Sequence, residues 1–179
     1  MYIREYVPFY PMNHFKTTVL PFLLLFLSLQ GSAQETAFPE HVGEIPFDSL
    51  KDDPHFTICN EKQVFQYYNT NSYYKDHKKE IVKYLLGHYE AEDNFGDQNG
   101  YLTIKFIINC KGETGRFRIF EIDDNYQPAS FNKALSGQLL HLVKQLRGWQ
   151  PAVYKGQIYD SYQHITFHMR KGKIISITP

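Results

Sequence analysis

The sequence predicts an α+β fold of two layers, with helices packed on one face of a three-stranded antiparallel sheet. Three observations predict it. Apolar residues recur at helical spacing over residues 76–90 and again over 131–147. Between them, residues 101–122 alternate as a hairpin, and a long strand follows at about 158–169. Composition agrees: 42% apolar and 16% aromatic residues support a packed core, and 179 residues suffice for one domain plus a leader.

The chain opens on a leader. Residues 19–29 (VLPFLLLFLSL) form an apolar run shorter than the roughly 20 residues a membrane-spanning helix needs. His14 and Lys16 precede it, and Gly31, Ser32 and Ala33 follow as small residues suited to signal peptidase. Residues 1–33 therefore read as a signal peptide, cleaved after Ala33 to leave Gln34 first. Met12 is the better start, because the stretch before it suits a leader poorly. The alternative is an uncleaved anchor. No cysteine follows the small residues, which argues against a lipoprotein anchor.

Lysine plus arginine and aspartate plus glutamate number 19 each. That balance argues against nucleic acid as a partner, and against a polybasic patch for anionic lipid. The two cysteines, Cys59 and Cys110, make one disulfide plausible in an exported chain. It would contribute about 3–4 kcal/mol on the chain-entropy model. Two free thiols are the alternative. Neither cysteine lies in a CxxC pair, which argues against zinc and thioredoxin-type redox chemistry.

Residues 34–75 read as an extended, irregular segment punctuated by Pro39, Gly43, Pro46 and Pro54. Within it Val64, Phe65, Tyr67 and Tyr68 fit a short strand or a helical turn equally well. Asp76 is a good N-cap for the helix 76–90, whose apolar side is Ile81, Val82, Leu85, Leu86 and Tyr89. Along 101–109, Leu102, Ile104, Phe106 and Ile108 share one face; Thr103, Lys105, Ile107 and Asn109 take the other. The same parity points Cys110 into the core. Gly112 serves the turn, and the second strand covers about 116–122. Ser130 can cap a helix over 131–147, which Gly148 ends. A turn at Lys155-Gly156 leads to the last strand, with a short extension at 173–177.

From Tyr101 onward this succession resembles the C-terminal domain of TonB. The strand Leu102–Asn109, the Lys111-Gly112-Glu113 turn, the helix Phe131–Leu146 and the strand Tyr162–His168 carry the likeness. Its most specific part is the Gly148-Trp149-Gln150-Pro151-Ala152 corner with the Lys155-Gly156 turn, where Pro151 forbids further helix and Trp149 reads as structural. The resemblance implies a TonB-C-like domain over 76–179 that binds a segment of an envelope protein by strand addition, as in TonB-dependent transport. Its partner would be an envelope protein such as an outer-membrane TonB-dependent receptor, with Tyr159, Tyr162, His164, Thr166 and His168 as partner-binding candidates by position. A homodimer through edge strands is compatible with the same fold. The chain departs from the transducers in lacking a long Pro-rich spacer and in carrying a cleavable-looking leader. A free periplasmic or secreted protein, with no stable membrane insertion once the leader is removed, fits those departures.

No catalytic constellation stands out, and no enzyme activity, cofactor or metal is expected. His164 and His168 share a strand face but lack a third ligand. Asp93, Asp97, Asn99 and Gly100 miss the spacing of a calcium loop. Asp123 and Asp124 diverge along an extended chain. The tyrosine pairs Tyr67-Tyr68 and Tyr73-Tyr74 suit an interface. Two other readings remain: a small exported enzyme with a dispersed site, and a membrane-anchored energy-transducing adaptor.

Overall fold

The structure is a computed structural model describing residues 44–69, 74 and 77–179. The leader, its cleavage point after Ala33, the start at Met12, residues 34–43 and the Asp76 cap lie outside the described residues. The elements in order are β1 (Val64–Gln66), α1 (His77–His88), β2 (Gly100–Ile108), β3 (Thr114–Ile122), α2 (Lys133–Gln145), β4 (Ala152–Tyr154), β5 (Gln157–Arg170) and β6 (Lys173–Thr178).

The sheet corrects the expected three-stranded antiparallel one. It is mixed and six-stranded, in the order β1-β5-β2-β3, with β4 and β6 also paired to β5; the described residues hold two α-helices. β2 runs antiparallel to both β3 and β5. β1 lies parallel to β5 over Asp160–Tyr162, and β4 and β6 flank it as antiparallel partners over 157–159 and 166–170. The physical reason is length. β1 and β4 have three residues each, too few to show the two-residue alternation that marks a strand. Val64–Gln66 is strand and Tyr67–Asn69 a 3-10 turn, so both readings of that stretch hold in succession. The residues at 173–177 form a returning strand, because Lys171 and Gly172 at positive φ turn the chain back.

One core joins helices and sheet. Ile81 and Leu85 of α1 and Leu135, Leu139 and Val143 of α2 meet Leu102, Ile104 and Phe106 of β2 and Ile165, Phe167 and Met169 of β5. Trp149 is buried there, edge-on to Phe106 and Tyr74. α2 starts later than expected: Asn132, not Ser130, caps it by accepting from the Ala134 N–H at 2.8 Å. Glu121 of β3 holds the preceding turn, accepting from the Phe131 N–H and from the Ser136 hydroxyl.

The alternate residues face the other way: Tyr101, Thr103 and Lys105 on β2, and Tyr162, His164, Thr166 and His168 on β5. Part of this face is sealed by the irregular segment 44–62. Arg118 grips Asp52 by donating from both terminal guanidinium nitrogens, Nη1 and Nη2, at 2.7 Å, and also donates to the Pro46 carbonyl. Arg116 pairs with Glu61 and donates to the Ile45 carbonyl. Phe56 sits so close to Gly115 that a Cβ there would fall 2.3 Å from its ring. Ile107, the register partner of Gly115, is consequently fully buried, where alternation alone put it on the wet side.

Candidate functional site

Cys59 and Cys110 form a disulfide with Cα atoms 6.1 Å apart. Cys110 is half-buried beyond the end of β2 rather than a core side chain, because the tight turn at Asn109 intervenes. Asn109 is fully buried, and its side-chain oxygen accepts from the Lys111 and Glu113 amides. Asp160 of β5 organises the bridge. Its carboxylate, 1% exposed, accepts from the backbone amides of Cys59 at 3.1 Å, Asn60 at 2.8 Å and Cys110 at 2.9 Å. A buried carboxylate needs such donors. These three hydrogen bonds fix both half-cystines relative to the sheet. The sulfurs and Asp160 form the one cluster of three residues of metal-ligating type among the described residues, and the disulfide takes up both sulfurs. Asp160 was missed in the sequence. The signal was a lone acid in a fourteen-residue strand, at a position that the segment 59–60 covers.

Beside that tether the uncovered part of the face opens as a cleft of about 380 Å³. Thr103, Lys105, His164 and Thr166 floor it; Tyr67 and Tyr68 stand on one side, Ile45 and Tyr162 at the other. The hydroxyls of Thr103 and Thr166 are 3.0 Å apart across the strand pair. Lys105 lies opposite His164 in register, with its ammonium 4.8 Å from the centre of the Phe120 ring. The His164 ring meets the Tyr67 ring edge-on at 4.9 Å. Burial, then the charges of Lys105 and Lys78, hold the His164 pKa below the usual imidazole range, so it is neutral at pH 7. Burial pushes the Tyr162 hydroxyl up, reinforced by Glu44. Lys105 is the only charged residue among those lining the cleft.

The five partner-binding candidates divide. Tyr162, His164, Thr166 and His168 share the open face, and the first three line the cleft. His168 lies further along, stacked on Tyr101 at 4.6 Å, which in turn stacks on Tyr126. Tyr159 has the opposite parity; it packs on Phe65 at 4.6 Å and donates to Gln157. β5 is not the edge strand that strand addition at 162–168 required, since β2 occupies one side and β1, β4 and β6 the other. One window remains. Residues 163–165 of β5 pair with β2 but fall between the ends of β1 and β6. There the His164 N–H donates to its neighbour's side-chain oxygen, Gln163 Oε1, at 2.9 Å.

A second cleft, of about 400 Å³, lies where Asp53, His55, Gly112, Glu113 and Arg147 approach. Its acids serve local turns: Asp53 accepts from the His55 amide and Glu113 from the Asn109 side chain. Among the described residues no helix is long and apolar enough to cross a membrane.

The site is thus a small polar and aromatic cleft on a sheet face. No family model matches the chain, and no curated protein or solved structure matches it either.

Proposed function

We propose that this chain is an exported, periplasmic or secreted, protein-binding module that holds an extended segment of an envelope protein in the cleft over β5. The cleft itself carries the reading. It combines exposed tyrosines, Tyr67 and Tyr68, with hydroxyls and one lysine, and no carboxylate lines it beside His164. Tyrosines supply contact area at low entropic cost, as interfaces favour. An acid–base site would need a partner group to exchange a proton with the imidazole. The 163–165 window of β5 offers backbone to an extended chain, the local form of strand addition. The disulfide fits an oxidising compartment, and the likeness to the TonB C-terminal domain supports an envelope partner such as a TonB-dependent receptor.

A photo-crosslinking residue at Tyr68, with a control at exposed Lys133 of α2, tests this in cells. The expected result is one discrete adduct with an envelope protein from position 68 and none from 133. Equal labelling from both positions, or no adduct from either, would sink the reading.

A further inference from the structure

The geometry points to a specific ligand group in this cleft: the free C-terminal carboxylate of the bound segment. The inference rests on the binding reading above and narrows it.

The cleft is rich in donors. Among the described residues no carboxylate ion-pairs with Lys105, whose ammonium has only the Phe120 ring beneath it. Of the Thr103 and Thr166 hydroxyls, one donates to the other, which leaves the second proton available to a ligand acceptor. The His164 amide is held by the side chain of Gln163 where a neighbouring strand would present a carbonyl. A carboxylate is a stronger acceptor than that amide oxygen and can replace it. Lys105 is the one charged side chain lining the cleft, and it selects the ligand by its charge.

The shape selects a chain end over a through-running strand. The window at 163–165 is closed on one side by Gln66 and the Tyr67–Asn69 turn, and on the other by Thr178 paired to Thr166. A strand continuing in the sheet plane would meet one or the other. A terminus can stop there, with its preceding residues against Tyr67 and Tyr68 and its carboxylate in the cleft that the Lys105 stem and His164 line together.

Two pools of random heptapeptides, identical except for a C-terminal carboxylate or amide, test this on the purified, ¹⁵N-labelled full chain. The acid pool should bind about tenfold tighter or more and shift the His164 amide resonance. Lys105→Met, which keeps the stem over Phe120, should abolish the acid preference, so that both pools bind alike; Lys105→Arg should restore it. An unchanged thermal melt shows that each variant is folded. Equal binding of the two pools overturns carboxylate capture while leaving the binding reading intact. Binding of neither overturns both. A full acid preference in Lys105→Met also overturns the assignment.

Discussion

At His164 the fold holds an imidazole half-buried between Tyr67 and the strand pair, and opposes its protonation first by burial and then by two lysines. The consequence for stability has a definite sign. The unfolded chain takes its proton near the ordinary value of about 6.5, while the folded chain resists until lower pH. Above that value both states are neutral and His164 contributes nothing to the pH dependence. As pH falls below it, the unfolded state binds the proton first and stability drops. His164→Gln should therefore flatten the loss of Tm between pH 7 and pH 5, measured by circular dichroism. Parallel losses in both proteins would mean that another group titrates. At this scale the sequence was partly legible. Alternation placed Thr103 with Lys105 and His164 with His168, which is the parity the cleft uses. The same alternation sets Tyr159 opposite Tyr162, where it packs on Phe65; it joined the candidates by its position in the likeness, not by its face.

The irregular segment 44–62 is the element that turns an open sheet face into a cleft. Few apolar residues attach it. Ile45 is buried and Phe56 half-buried, while Phe47 and Leu50 stay exposed, so beside the Cys59–Cys110 bridge it is held by polar contacts. The main one is Asp52, whose side chain is 2% exposed and whose pKa is held below the usual carboxylate range, chiefly by its paired hydrogen bonds from Arg118. That contribution is present above the ordinary value of about 3.8 and is lost as pH falls through the depressed folded value. Asp52→Asn leaves Arg118 without its counter-charge and should lower stability by about 3 kcal/mol in urea at neutral pH. The gap between wild type and variant should narrow as pH falls below the ordinary carboxylate range. A gap that persists there would assign the cost to packing instead. None of this was legible, since an acid and an arginine 66 residues apart carry no local pattern. The helices were legible because thirteen residues of α2 repeat a stripe. The three-residue strands were less so: the stretch of β1 fitted strand or turn alike and β4 gave no pattern, so with β6 read only as an extension the expected sheet was three strands too small.

Across the whole molecule, the tether of Cys59 to Cys110 joins the segment that walls the cleft to the turn that links β2 and β3. Asp160 sits beneath both, on the strand that all the added strands share. The bridge spans 51 residues, so on the chain-entropy model it stabilises the fold by about 4 kcal/mol. Reduction should lower Tm by roughly 10 °C, from the usual 2–4 °C per kcal/mol for chains of this size. Cys59→Ser with Cys110→Ser should match the reduced wild type, because both remove the same cross-link. The loss is also local in its expected effect on function. Freed of the bridge, segment 44–62 keeps Arg116, Arg118 and the Asp160 carboxylate as polar anchors, but its Ile45 wall is less firmly held against the cleft. Ligand binding should weaken at temperatures where the sheet remains folded, read as fewer Tyr68 crosslinks before the circular dichroism signal falls. If reduction with thiol release verified leaves both Tm and crosslinking unchanged, the bridge neither stabilises the fold nor shapes the cleft.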